Sequence, residues 1–346
     1  MPSSTPDGGP EENPAASAHT DKTTRSSWIR LVTVLIGLTA VVGGMLLAFA
    51  LPSIHGGPHE MKLGLAGPQP AVDAVAGNLA PDEWTVVRFE TPEALAAGIQ
   101  KREATGGLAF TAEAVDVYTA AAAGAPGAAA VTALGTVVAQ QQQLPVRTHD
   151  VVPFPADDPR GAGLTAAALP MVFGGLVPAI ALTQLFPGRN RLLLRVVGVV
   201  AFAVIAGAAL TAILQFGTGS LAGNYWLTAE GLALGMAALA LTVLGLEAVL
   251  GPIGIGVGAV LMMFIGNPLS ALGTGSNWLP DGWSTFGQLL PPGATGSLLR
   301  ANAFFGGIGS GYPSMVLACW VVFGLVLAGI AALREPDPAP VVDDPE

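Results

Sequence analysis

Two carboxylates, Glu230 and Glu247, stand inside one long apolar stretch. An ionisable group within a membrane costs several kcal/mol unless it is paired or hydrated, so such residues line conduits, couple protons or snorkel at a boundary. They are seventeen positions apart, about 25 Å along a helix at ~1.5 Å per residue. They therefore cannot act as a carboxylate pair, and each falls near one interface. Glu247, set among Leu246, Val249 and Leu250, is the better coupling candidate. Asp281 and Arg300 belong to a Gly/Pro-rich stretch, Gly266 to Tyr312, that also holds Trp278 and Trp283. Their opposite signs are the only ground for expecting an ion pair. The Trp residues suit interfacial anchors or a substrate gate.

Other chemistry is absent from the pattern. His55 and His59 have metal-ligand spacing for a helix, but Gly56, Gly57 and Pro58 between them argue against that helix. His149 beside Asp150 suits a strand-end polar residue. There is no Ser/His/Asp set at recognisable spacing, no H-E-x-x-H and one cysteine, Cys319. No catalytic residues, metal or cofactor are expected. Cys319 is read as a small packing residue.

The elements that position these residues are membrane helices. Of 346 residues 51% are hydrophobic and 11% charged, with mean hydropathy +0.59. Soluble domains carry roughly 25% charged residues, so much of the surface must meet lipid. The net charge of −10 leaves no basic footprint for nucleic acid. About 20 apolar residues span the hydrocarbon core. Six such spans are expected: Trp28–Ala50, then about 164–186, 192–216, 227–250, the short 252–265, and 313–333. Thr119 to Ala139 lacks charge, but it is Ala/Gly-rich with Pro126 inside and lacks the large apolar residues that drive insertion. Ala48-Phe49-Ala50 resembles a signal cleavage site, yet the apolar run is too long and 27 residues precede it. An uncleaved anchor is expected. Paired glycines at four-residue spacing, Gly231/Gly235 and Gly254/Gly258, suit close helix approach within the chain or a dimer seam.

Orientation follows from Lys22, Arg25 and Arg30, from Arg189, Arg191 and Arg195, and from Arg334. With six spans all three clusters share one side, which the positive-inside rule makes cytoplasmic. Both termini are then cytoplasmic, in a multi-pass protein of the cytoplasmic membrane. Residues 1–26 and 334–346, rich in Pro, Ser, Thr and acids, are expected to be disordered. The stretch 266–312 is too polar and broken to face lipid, which suggests two short helices at the outer surface or partly re-entrant.

Residues 51–163 form the extracytoplasmic domain. It holds six bases (Lys62, Arg88, Lys101, Arg102, Arg147, Arg160) against twelve acids. Strands are expected at 61–66, 84–89, 107–110, 115–118 and 146–152, with helices at 70–80, from Thr91-Pro92-Glu93 to about 102, and 127–143. Val131, Leu134 and Val138 share one face of the last helix. The fold class is an α-helical polytopic membrane protein, six spans with a small α/β domain between the first and second.

Three motifs carry a family resemblance. Glu90–Leu108 (ETPEALAAGIQKREATGGL) is similar to a helix-then-strand element. Asp150–Gly161 (DVVPFPADDPRG), which contains Asp158 and Arg160, is similar to a segment leading into span two. Leu290–Arg300 (LPPGATGSLLR), followed by Phe304-Phe305-Gly306, is similar to a Pro-rich stretch before the last span. Over about 27–333 the chain resembles type-2 ABC exporter permeases, in the YhgE/Pip phage-infection-protein-like branch, with actinobacterial-type composition. The resemblance implies export of a hydrophobic or lipid-like molecule, a homo- or heterodimer, and a separate ATPase subunit. The chain itself has no G-x-x-x-x-G-K-[ST] stretch. It departs from the family at about 187–191, where the link between spans two and three is too short for a coupling helix. Either coupling uses the N-terminal segment and the span-four/five turn, or no ATPase is coupled. The alternative function is an envelope receptor or scaffold acting through its ectodomain.

Overall fold

The computed structural model describes residues 14–280 and 282–333, with side chains from residue 28 onward. The chain divides after Ala50 into two compact units. The first is most of α1 (Pro14–Ile54), whose apolar part Trp28–Ile54 has mean hydropathy 2.5. The helix begins well before the apolar run, so the disorder expected up to Ser26 does not hold from Pro14 onward. Once the span has nucleated a helix, each added residue costs little, and a first-turn Pro is tolerated. The expected disorder of residues 1–13 and 334–346 lies outside the described residues.

The second unit opens with an alternating run: β1 (Met61–Ala66), α2 (Gln69–Ala76), β2 (Trp84–Phe89), α3 (Pro92–Gln100), β3 (Gly106–Phe110), β4 (Val115–Thr119), α4 (Ala125–Gln142) and β5 (Val146–Asp150). The strands form one sheet in the order β2-β1-β3-β4-β5, parallel throughout except between β3 and β4. That one antiparallel pair is joined by a tight turn in which the Thr111 hydroxyl donates to Ala114 O and accepts from Ala114 N. Thr91 caps α3 as its spacing predicted, accepting from Ala94 N at 3.1 Å, with Pro92 in the first turn.

The interior strand β1 is buried along nearly all its length, as expected of a parallel strand covered on both faces. Val72 and Val75 of α2, with Val131 and Val138 of α4, pack with Met61, Leu63, Leu108 and Val117 in one core cluster. α4 comes so close that a Cβ on Gly135 would overlap Val117. The uncharged segment 119–139 therefore runs from the end of β4 through a short turn into a sheet-covering helix, α4. Leu95 and Ile99 of α3 belong instead to a cluster that continues into Met171, Leu232, Met236 and Leu299. Sheet and helical bundle share one core.

The bundle consists of α5 (Ala162–Ala166) and α6 (Ala168–Leu185), which form one apolar run, then α7 (Leu192–Ala212), α8 (Tyr225–Leu250), α9 (Pro252–Ala259), α10 (Trp283–Gln288), α11 (Pro291–Phe304) and α12 (Gly311–Leu333). α7 runs on into a π-helical turn, Ile213–Gly217, and α9 into another, Val260–Gly266. Among the described residues five helices are long and apolar enough to cross a bilayer: Trp28–Ile54, Ala162–Leu185, Arg189–Gly217, Tyr225–Leu250 and Gly311–Leu333. The chain is a helical, multi-pass membrane protein with a small sheet region. Pro252–Gly266, expected as a sixth span, is apolar but shorter than these five.

α8 is the axis of the bundle. Asn224 caps it by accepting from Leu227 N, and Gly251 ends it at φ +65°. Leu232, Met236, Leu239, Leu241 and Leu244 are fully buried, and α6, α7, α9, α11 and α12 all contact it. Each neighbour approaches where one side has no side chain. A Cβ on Gly207 of α7 would sit 2.8 Å from Ala233 N, and one on Gly324 of α12 would overlap the Leu241 backbone. One on Gly175 of α6 would overlap Leu239, and one on Gly258 of α9 would lie 2.9 Å from Val243. The four glycines singled out by spacing all face helices of their own chain: Gly231 and Gly235 meet Asn302 and Thr295 of α11, and Gly254 and Gly258 meet α8.

Gly324→Leu forces α12 off α8 and is expected to destabilise the protein by about 1–3 kcal/mol. Gly329→Leu, with nothing within 4 Å on the same helix, is the control. Thermal unfolding in detergent measures both, and equal effects would refute close approach as the reason for the glycine.

Candidate functional site

α11 carries the polar groups that matter. It starts with Pro291 and Pro292, where the missing N–H groups have no helical partner to lose. It is too polar to face lipid, and it does not: nearly every residue from Pro291 to Ala303 is buried, including Thr295, Arg300 and Asn302. The expectation of two short helices in 266–312 matches α10 and α11, and the second lies inside the protein, where broken helices are tolerated. Thr295 donates to Pro291 O, and Asn302 Nδ2 donates to Leu227 O at 2.7 Å, which ties α11 to the first turn of α8.

Arg300, 3% exposed, is the most deeply buried cation of the sheet–bundle junction. Its Nε donates to Ala122 O at 3.0 Å and its Nη2 to Leu272 O at 2.7 Å. The Ala122 carbonyl belongs to the short turn between β4 and α4, so one side chain ties sheet to bundle. Beside it is a cavity of about 250 Å³ bordered by Glu60, Lys62, Arg102, Asn277, Arg300 and Phe305. Arg102 follows α3 in left-handed backbone at φ +63°. Its guanidinium lies 5.0 Å from the Phe305 ring centroid, a cation–π contact, and Nη1 donates to Ile308 O at 3.3 Å.

Burial, and then the charge of Arg102, pushes Arg300 down to about 10; burial also lowers Arg102. Both remain cationic at neutral pH. Among the described residues no carboxylate forms an ion pair with either. A second hollow, about 460 Å³, is also bordered by Phe305, together with Val151, Val152, Pro153, Phe304 and Ile308. A cationic cavity and an apolar hollow thus share one aromatic wall.

The remaining residues read from the sequence fall elsewhere. Asp281 lies outside the described residues, and so does its suggested pairing with Arg300. Glu230 is exposed on α8. Glu247 accepts from Arg195 Nη1 at 2.9 Å, in a pair whose side chains are 5% (Arg195) and 16% (Glu247) exposed. Arg195 also donates to Gly188 O at 3.0 Å, so the 187–191 turn and the end of α8 lie together. Sequence reading placed Arg195 in a flanking basic cluster and missed this pair. The available signal was the short link 218–224 between α7 and α8, which makes the two antiparallel and puts the start of α7 and the end of α8 at one depth.

Asp158 accepts from Ala162 N and Gly163 N, both at 2.8 Å, and so caps the entry to α5. Burial raises its pKa, but those two bonds, the Ser220 hydroxyl and the charge of exposed Arg160 outweigh this and hold it below the usual value. Trp278 packs where a Cβ on Gly56, just past the first span, would lie 2.9 Å from its ring nitrogen, and Trp283 is exposed. Among the described residues no group of three His, Cys, Asp or Glu is placed to hold a metal. His149 Nε2 meets buried Asp116 at 2.9 Å and stacks on Tyr118. Arg102 and the Ala122 carbonyl were invisible to pattern reading, because only the fold brings them to Arg300.

Glu247→Ala leaves Arg195 buried without its counter-charge and is expected to cost about 3–5 kcal/mol, whereas Arg195→Met with Glu247→Leu recovers most of that. Chemical unfolding of the three proteins in detergent tests it. Asp158→Asn is expected to cost about 1 kcal/mol at neutral pH through the weakened cap. Because the folded pKa of Asp158 is depressed, its contribution is complete above the unfolded value near 3.9 and fades as pH falls through the lower folded value. The difference in melting temperature between wild type and variant, followed from pH 7 to 3, must therefore shrink at the acid end.

No family model, no curated protein and no solved structure matches this chain.

Proposed function

We propose that the protein is a permease-like membrane subunit that moves or presents a hydrophobic or lipid-like molecule across the cytoplasmic membrane. The observation that carries this reading is the junction itself: a cationic cavity and a mainly apolar hollow that both have Phe305 in their walls. That division suits a molecule with a charged end and an apolar body.

Six crossings make the site extracytoplasmic, and the course of the chain supports the sixth. Beyond Gly251, α9 runs back along α8, with Gly254 against Leu246 and Gly258 against Val243. Gly266 then meets Pro292, and the following loop reaches the sheet: Asn277 Nδ2 donates to Thr105 Oγ1 at 3.3 Å. The chain thus travels from the Arg195–Glu247 end of the bundle to the sheet end. The segment 252–266 is about 22 Å long at ~1.5 Å per residue, and the loop completes the passage inside protein rather than lipid. Arg189 and Arg191 at the opposite end from the sheet favour a cytoplasmic turn and an extracytoplasmic sheet.

The resemblance to type-2 ABC exporter permeases adds a dimer and an ATPase on another chain. The 187–191 link, a single 3₁₀ turn at Arg189–Arg191, holds no coupling helix. That one observation favours the second reading, a non-transporting receptor or scaffold that acts through the sheet unit.

Purification in mild detergent, followed by mass spectrometry of retained proteins and lipids, separates the two. The permease reading expects a bound amphiphile and a stoichiometric ATPase. An envelope partner retained without either would select the scaffold. Topology is tested in a Cys319→Ala background with a membrane-impermeant maleimide on intact cells. Cysteine at Glu113 should label and cysteine at Asn190 should not; the reverse pattern would overturn the orientation.

A further inference from the structure

Arg300 and Arg102 present an electrostatic problem that the described residues leave unsolved. A buried cation is costly unless an anion or a full set of acceptors compensates it. Arg300 Nε and Nη2 find backbone carbonyls, but among the described residues Nη1 makes no hydrogen bond, and the charge that acts on Arg300 is that of another arginine, Arg102. At the rim, exposed Glu60 and Lys62 offset each other, which leaves two guanidinium groups in the depth of the cavity with net positive charge. Water occupies about 30 Å³ per molecule, so 250 Å³ is room for roughly eight waters or one compact polar headgroup.

We propose that this cavity is a binding site for a phosphate group, held by the guanidinium groups of Arg300 and Arg102. Guanidinium groups bind phosphate oxygens through charge-assisted, often bidentate hydrogen bonds. Arg300 is preorganised by its two carbonyl bonds, and Arg102 by the Phe305 ring beneath it and by Ile308 O. Asn277 and Thr105 on the wall add neutral polar groups. The inference rests on the permease reading only for the source of the phosphate: a lipid headgroup whose chains enter the apolar hollow past Phe305, or a soluble phosphate.

The test uses the full chain in neutral detergent at constant ionic strength. Titration with inorganic phosphate, with phosphatidic acid in mixed micelles, and with diacylglycerol in the same micelles is followed by calorimetry and by the melting temperature. Phosphatidic acid is expected to bind at least tenfold more tightly than diacylglycerol. Arg102→Gln, which spares the carbonyl ties of Arg300, should weaken binding at least tenfold while the protein still unfolds cooperatively. Lys101→Gln, next in sequence but outside the cavity, should bind normally. Arg300→Lys keeps a positive charge while losing the fork and should also weaken binding.

If inorganic phosphate binds and phosphatidic acid does not, the anion site stands and the lipid-like reading of the substrate falls. If phosphatidic acid binds, both stand. If neither phosphate compound binds, or if Arg102→Gln and Lys101→Gln bind alike, the proposed site is overturned; a diacylglycerol that still binds would then leave the permease reading intact.

Discussion

Everything in the bundle depends on how α8 is surrounded. Lipid tails are as apolar as leucine, so burial from water gives membrane helices little reason to associate, and contact between backbones must supply the attraction. α8 meets each of five neighbours at points where a glycine on one side removes the obstacle: Gly175, Gly207, Gly235, Gly258 and Gly324. At Gly207 and Gly324 the facing atoms are backbone atoms, which leaves little play in helix position there. A narrow axis of this kind is what allows a polar helix such as α11 to be placed against it.

The buried charges follow from the same geometry, and three different solutions appear. Arg195 and Glu247 neutralise each other at the end of the bundle away from the sheet, with Gly188 O satisfying a further donor. Asp158 is held by two backbone N–H groups at the start of α5. Arg300 receives only carbonyl oxygens and has Arg102 for a neighbour. In the first two each charge meets an opposite charge or a pair of N–H groups, although Arg195 Nε is left without a hydrogen bond. The third is open, and its open side is the cavity. This contrast separates a structural charge from a receptive one more reliably than the mere presence of an ionisable residue in an apolar stretch, since by that criterion Glu247 ranked first.

The local parts of the fold were legible because they obey local rules. β1 and β2 lie where alternation and β-propensity place them, and α3 begins at the Thr91-Pro92 signal. The shared face of Val131, Leu134 and Val138 does pack on the sheet. Long spans were equally plain, since twenty apolar residues admit few readings. What stayed hidden needed a third dimension. Nothing near Ala122 or Arg102 signals that either will meet Arg300, which lies 178 residues beyond the first of them. The polar, Pro-led α11 looked like a surface helix because its covering comes from a sheet unit far away in the chain. The helical start of α1 at Pro14 was missed for another reason: composition reports solubility, whereas helix propagation depends on what has already nucleated next door.

The position of α11 links the two halves of the second unit in one further way. A helix carrying Thr295, Arg300 and Asn302 is unstable in lipid and would be solvated, not packed, if it were bare. It is buried because α8 and α12 take one side and the turn at Ala121–Ala123, with the loop after Ser270, takes the other. The contacts that close the cavity are thus the contacts that hold the sheet on the bundle. Arg300 cannot be freed toward solvent while both carbonyl bonds persist, and losing them would leave Ala122 O and Leu272 O without their donors. A negative group inside the cavity strengthens this junction by offsetting two like charges at once. Occupancy of the cavity and the docking of sheet on bundle are therefore one equilibrium, and whatever favours one favours the other.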